Sequence, residues 1–390
     1  MNFDYCPNRV GTHSAKWDMM EALYGVSPED GLSMWVADMD FQSPACVMER
    51  LSKIASDGVF GYYNNDAPYK EAIGWWMETR HNWPIRPEWV FTTTGIVNAV
   101  GVCLDTYTQP GDGIVLFTPV YHAFAKVING AHRKVVECEM PVVDGRYTLD
   151  FDAWDAQMTG SESMLILCSP HNPGGAVWTQ AELQGIADFA ERHDLIIVSD
   201  EIHQDMVFNG HKHLPFPIAV PSALDRTVVL NAPSKTFNIA GLHNGNVIIP
   251  DDDLRARFAD RMTALYIGTN TFGTAATEAA YSPAGAEWVD ALMVYLDTNR
   301  KILDSAVASI PGLSSMRLEA TYLSWVDFGG TGMERAEFIR RVEKDAKIAV
   351  NYGTTFGKGG ENYLRFNIGT QRTRIEEACE RLNAAFSDLQ

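Results

Sequence analysis

Four short stretches of this chain set reactive side chains directly after apolar, β-prone runs. Ser199-Asp200-Glu201-Ile202-His203 follows the apolar run 195–198. A carboxylate at the end of a buried strand is costly unless something cationic or protonated meets it. Asp200 therefore reads either as a helix N-cap or as the partner of a protonated heterocyclic nitrogen, whose electron demand it would sustain. Lys235 stands just past another β-run, in Asn231-Ala232-Pro233-Ser234-Lys235-Thr236. A lysine that burial and neighbouring charge can strip of its proton forms Schiff bases; the alternative is a solvated loop lysine. Cys168-Ser169-Pro170-His171-Asn172-Pro173-Gly174-Gly175 is rich in turn-forming dipeptides. Thr92-Thr93-Thr94-Gly95-Ile96-Val97 joins a strand pattern to a helical one. Exposed amides at such a helix start can cradle a phosphate, although a plain strand-to-helix turn accounts for the glycine equally well.

These stretches need a scaffold that gathers strand ends. Strand patterns fall at 89–93, 113–117, 135–139, 164–168, 195–199, 227–230 and 246–249. Several are continuously apolar, as strands covered on both faces are. Helical patterns intervene, among them 179–193. Strand–helix alternation of this kind predicts a mostly parallel α/β sheet, and ligands of such sheets bind at the carboxyl ends of the strands. All four reactive stretches lie there. From about residue 282 the pattern changes to long helices at 286–310, 334–344 and 373–387 around strand-like runs at 321–326 and 363–368. The expected division is a large domain, 45–281, and a smaller α+β domain made of 1–44 and 282–390, with the first 44 residues irregular.

Composition narrows the function classes. Asp and Glu number 50 against 31 Lys and Arg, a net charge of −19, which argues against a nucleic-acid surface. No run approaches the roughly 20 apolar residues of a membrane span, and residues 1–10 lack the pattern of an export signal; a cytoplasmic protein is expected. The six cysteines form no CxxC pair, and no metal site is predicted. His203, His211 and His213 match no metal-ligand motif and read as a coincidence of one loop.

The order of Gly95, Tyr121, Asn172, Asp200, Lys235 and Arg365 resembles the fold-type I enzymes dependent on pyridoxal phosphate, the aspartate-aminotransferase superfamily. Within it, Met34-Trp35-Val36-Ala37-Asp38-Met39-Asp40-Phe41, Gly61-Tyr62, Ser199-Asp200-Glu201-Ile202-His203 and Ala232-Pro233-Ser234-Lys235-Thr236-Phe237-Asn238 look like the MalY/PatB-type cystathionine β-lyases. The resemblance runs along nearly the whole chain. It implies a seven-stranded, mostly parallel sheet flanked by helices plus the smaller domain, with pyridoxal 5'-phosphate as cofactor.

It also implies roles, position by position. Lys235 would carry the cofactor as a Schiff base and shuttle the α-proton. Asp200 would pair with the pyridine nitrogen, Asn172 with the phenolic oxygen, and Tyr121 would stack on the ring. Amides of Gly95, Ile96 and Val97, with the Ser234 hydroxyl, would hold the phosphate, and Tyr62 would reach it from the partner of a homodimer. Arg365 would clamp the substrate α-carboxylate through two parallel bonds, where a surface ion pair is the alternative. Trp35, Phe124 and the backbone of Ala37 complete the expected substrate contacts, while Tyr63, Tyr266, Phe272 and Tyr322 read as core aromatics. Two positions depart from the broad aminotransferase pattern: His243 stands where many members have an arginine, and His203 where many have a tyrosine. The implied reaction is cleavage of cystathionine or a cysteine S-conjugate to thiol, pyruvate and ammonia. An aminotransferase shares every residue up to proton removal and is the main alternative. A regulatory or binding protein that has lost catalysis is a more distant one, since Lys235 and Asp200 are intact.

Overall fold

The computed structural model describes residues 1–62 and 65–389. Seven strands form the central sheet: β1 Val90–Thr93, β2 Gly113–Thr118, β3 Lys134–Glu139, β4 Glu162–Cys168, β5 Ile196–Asp200, β6 Thr227–Asn231 and β7 Gly245–Ile248. Their spatial order is β1-β7-β6-β5-β4-β2-β3. Every pair from β6 to β3 is parallel, while β7 runs antiparallel to both neighbours. The reason lies in the connection. The chain leaves β6 at its carboxyl end, makes the short turn that carries Lys235, and enters β7 from that same edge. A parallel return would need a crossover spanning the sheet.

The strands are apolar on both faces because helices cover both. In β4, Met164, Ile166 and Cys168 face one cluster, which contains Ile96, Ala99, Val100 and Cys103 of helix α1 (Ile96–Tyr107). Leu165 and Leu167 face the other, with Leu183, Ile186, Ala187 and Ala190 of α3 (Gln180–Arg192). Between these in the chain lies α2 (Ala123–Gly130). Each such aliphatic side chain contributes roughly 1.5–3 kcal/mol on burial, so both layers are held independently of any ligand. Helix α3 begins with a reciprocal cap: Thr179 accepts from the Glu182 amide, and the Glu182 side chain accepts from the Thr179 amide.

A second, antiparallel sheet orders β8 (Ser314–Ser315), β9 (Leu323–Asp327), β11 (Tyr363–Asn367) and β10 (Asn351–Tyr352) as β8-β9-β11-β10. Helix α5 (Pro283–Ser309) and helix α6 (Arg372–Ala385) pack with it. The expected strand at 321–326 starts later, at Leu323, because Thr321 sits at a left-handed φ of 74° that interrupts the extended chain. The expected strand at 89 begins at Val90, since Pro87–Trp89 forms one tight turn with proline at its start. The first 44 residues are less irregular than expected. They contain the short helices Ala15–Asp18 and Met20–Tyr24, too brief to show periodicity in the sequence, and Leu32–Ser33 pairs in parallel with Ile348–Ala349. No helix among the described residues is long and apolar enough to cross a membrane.

Candidate active site

At the carboxyl edge of the central sheet the strand ends converge on one recess of about 240 Å3. It is lined by Gly95, Ile96 and Val97 after β1, Tyr121 after β2, Asn172 after β4, Asp200 and His203 after β5, and Ser234 and Lys235 after β6. Ala37 and His243 also reach it. Helix α1 presents its first amides to this space. Its N-cap, Gly95, has φ 98°, a conformation that a side chain would strain, and a Cβ there would project into open space. Gly245 makes the close approach of β7 possible, since a Cβ on it would meet the Gly95 carbonyl carbon at 2.9 Å.

Lys235 lies on the four-residue helix α4 (Pro233–Thr236), directly after β6. Its Nζ donates to the Ala37 carbonyl at 2.6 Å, and no carboxylate among the described residues forms an ion pair with it. The side chain's remaining exposure is to the recess, so burial pulls its pKa down to about 8; Asp38 and Asp200 oppose that fall and Arg365 adds to it. Asp200 is buried and accepts one hydrogen bond at 3.0 Å, from the Ile202 amide. Burial pushes its carboxyl up to about 7, against the pull of that amide and of Lys235. The helix-cap reading of Asp200 is overturned: residues 202–205 form a turn and no helix starts there, so the carboxylate bonds the Ile202 amide within that turn and faces the recess with capacity left for a protonated partner. His203 is buried with no partner on Nδ1, and burial draws its pKa down to about 3, keeping the ring neutral.

A second, larger recess of about 610 Å3 continues from Lys235 outward past Trp35, Tyr121 and Arg365. Arg365 on β11 is 2% exposed, which overturns its reading as a surface ion pair. It donates to Asn172 Oδ1 and to the Trp35 carbonyl, both at 2.9 Å, and to Asn351 Oδ1. Its Nε is buried without a partner, its guanidinium lies 4.9 Å from the Phe356 ring, and no carboxylate among the described residues neutralises it. A buried cation held only by neutral groups is a receptor for an anion.

The loop that carries Ala37 is fixed from several sides. Asn367 donates to the carbonyls of Val36 and Asp38, and Asn238 bonds Met39 and Phe41. Tyr322 donates to the Ala37 carbonyl at 3.0 Å. Beneath, buried Asp40 binds Lys16, Arg9 and the Trp17 indole, each at 2.9 Å.

The structure thus gathers Gly95, Ile96, Val97, Tyr121, Asn172, Asp200, His203, Ser234 and Lys235 around one space, with Ala37, Trp35 and Arg365 beside it. Phe124 is not among them. It is fully buried, edge-on to Tyr121 at 5.5 Å, and packs with the core under α1 because its position on α2 points it toward the sheet. Tyr62 is fully exposed and does not enter its own chain's recess. Tyr63 lies outside the described residues. Tyr322, expected in the core, is fully buried but spends its hydroxyl on the site loop. Sequence reasoning missed Tyr24, His122, Lys126 and Asn351, which line the outer recess from three separate elements; the one available signal was that His122 follows Tyr121 at a strand end. Ala37 contributes differently than expected. Its carbonyl is occupied by Lys235 and Tyr322, and a carbonyl accepts rather than donates, so only its amide is suited to a carboxylate.

Pyridoxal phosphate fits this set on the chemistry of the donors. A depressed lysine amine faces an underbonded buried carboxylate across a recess that a helix start opens into, which provides for aldehyde, ring nitrogen and phosphate respectively. This fold and this site define a fold-type I enzyme dependent on pyridoxal phosphate. Residues 30–382 match the family described as aminotransferase class I and II, and the chain belongs to that family. It is 37% identical over 390 residues to cystathionine beta-lyase PatB of Bacillus subtilis, covering 99% of this chain and 100% of that one. Protein MalY of Escherichia coli is 31% identical, with 96% of each chain covered. Among solved structures, cystalysin from Treponema denticola, which contains pyridoxal 5'-phosphate, superposes with a TM-score of 0.94 at 36% identity over 100% of this chain and 99% of that one.

Proposed function

We propose that the enzyme is a carbon–sulfur β-lyase, cleaving cystathionine or a related cysteine thioether to a thiol, pyruvate and ammonia. The observation that carries the shared chemistry, removal of an amino-acid α-proton, is the placement of Lys235 between buried Asp200 in one recess and unneutralised Arg365 in the adjoining one. Its relatives named for cystathionine cleavage support the lyase outcome over transamination.

Pyridoxal phosphate, when bound, supplies an electron sink that makes the α-proton of an amino acid removable. The amides of Gly95, Ile96 and Val97 and the Ser234 hydroxyl would hold its phosphate, Tyr121 would cover one ring face, Asn172 would bond its phenolic oxygen, and Asp200 would keep its nitrogen protonated. Arg365 binds the substrate α-carboxylate and so orients the Cα–H bond. Lys235, with a pKa drawn toward neutrality, takes that proton as a neutral amine. The buried walls around Asp200 and His203 keep water from the ring side of the recess.

The active unit in this reading is a homodimer in which Tyr62 completes the phosphate site of the second copy. The exposed run Val59, Phe60 and Tyr62 supports it, because so large an apolar surface is disfavoured in water. Residues 45–281 serve as the cofactor-binding unit, and 1–44 with 282–390 as the smaller unit that supplies Trp35, Ala37 and Arg365 to the substrate side. Incubation with cystathionine and no 2-oxo acid tests the reaction. Pyruvate and free thiol in equal amounts support the lyase; turnover that requires an added oxo acid replaces it with an aminotransferase.

A further inference from the structure

The outer recess has a charge pattern that the reaction itself does not require. Among the described residues three cations line it, Lys126, Lys235 and Arg365, and no carboxylate does, in a chain that carries 50 acids against 31 bases. Lys235 and Arg365 are committed to proton transfer and to the α-carboxylate. Lys126 has neither duty. It lies on α2, and with His122 at the helix's start and Asn129 it occupies positions i, i+4 and i+7 of one helical face, all three lining the recess. His122 adds no charge there: burial, helped by Arg365 and Lys126, draws its pKa down to about 4, and its Nδ1 is buried without a partner. The same recess is lined by Tyr24 and Trp35, packed together with ring centroids 5.2 Å apart. The lining is therefore partly aromatic and, among the described residues, carries one uncommitted cation, on an exposed side chain.

We propose that Lys126 is a specificity-determining residue that binds an anionic terminus on the substrate side chain, so that the preferred substrates are amino acids whose β-substituent ends in a carboxylate. The proposal rests on the reading of Arg365 as the α-carboxylate receptor, which fixes the direction in which the side chain must extend. An exposed lysine suits this task because it pairs with a charge that remains partly hydrated, which gives selectivity without the desolvation penalty of a buried pair.

The test is a binding comparison on the holoenzyme, followed by the change in cofactor absorbance, with two seven-carbon ligands that carry no leaving group: L-2-aminopimelate, which ends in a carboxylate, and L-2-aminoheptanoate, which ends in a methyl. Wild-type enzyme is expected to prefer the dicarboxylate about fivefold, the upper range for an exposed charge pair. The preference should shrink in 0.5 M salt, collapse to about unity in Lys126→Met, and persist in Lys126→Arg. No preference in the wild type, or a preference unchanged in Lys126→Met, overturns the proposal. Because binding is read without turnover, failure of the lyase reading appears separately, as absence of pyruvate from cystathionine.

Discussion

The depressed pKa of Lys235 makes a quantitative claim about cofactor capture. Only a neutral amine attacks an aldehyde, so the rate at which cofactor-free protein takes up pyridoxal phosphate should follow the deprotonated fraction of Lys235. With a pKa of about 8, about a quarter of the molecules carry a neutral amine at pH 7.5, whereas an ordinary lysine near 10.4 would show about one in a thousand. Burial thus raises the reactive population on the order of two-hundred-fold. The measurement is the rate of absorbance change on mixing stripped protein with pyridoxal phosphate from pH 6 to pH 10, with a simple alkylamine as the solution control. The protein's profile should reach half its maximum near pH 8 and level off above about pH 9, while the control keeps climbing. Asp38 raises the Lys235 pKa, so Asp38→Asn should move the plateau to lower pH. A profile that rises in parallel with the alkylamine would refute the argument that burial, rather than the cofactor, prepares the lysine.

The same desolvation has a stability consequence. The unfolded lysine binds its proton up to about pH 10.5 and the folded one only to about 8, so the penalty is fully present below pH 8 and relieved as pH rises from 8 to 10.5. Lys235→Met should therefore stabilise the cofactor-free protein at pH 7 by on the order of 3 kcal/mol at most, seen as a higher Tm that converges with wild type at high pH. Arg365→Leu should raise KM for amino-acid substrates by about 10- to 100-fold, as loss of a charged hydrogen-bonded contact does, while the cofactor absorbance stays in place; Arg365→Lys should recover only part, since a lysine lacks the planar fork. Asp40 sits low, at about 2, with burial opposing and Lys16 and Trp17 favouring its charged form. Its contribution is present above about pH 4 and lost as pH falls toward 2. Asp40→Ala leaves buried Lys16 with only the Asp38 carbonyl at 3.1 Å and the more distant Asp38 carboxylate at 3.9 Å, and should cost about 3 kcal/mol in denaturant unfolding. Gly95→Ala places a side chain at φ 98° and should speed cofactor loss on dialysis, without a comparable change in the far-ultraviolet spectrum.

What could be read without coordinates follows from where strands end. Asp200 and Lys235 each stand at the carboxyl end of an apolar run, and a parallel sheet brings such ends together whatever the rest of the chain does. Arg365 lies on a different sheet, and its place in the site was implied by the family resemblance; its bond to Asn172, 193 residues away, had no signal in the sequence. The reversal of β7 was hidden because an apolar strand reads the same in both directions. Lys126 and Tyr24 carry no local signal: one is an ordinary exposed lysine on a helix, the other an aromatic on a five-residue helix, and only the packing of that helix beside β10 turns them toward a common space. Phe124 shows the opposite failing, an aromatic near the site in sequence that the helix turns away from it.

The Ala37 carbonyl has two donors where one would satisfy it, the amine of Lys235 at 2.6 Å and the phenol of Tyr322 at 3.0 Å. The amine can thus depart for a covalent bond without stranding an oxygen in the interior, since the phenol stays behind. Lysine in this enzyme has a berth it can leave and regain repeatedly at little energetic penalty, which is what a group that must alternate between tether and free base on every turnover requires.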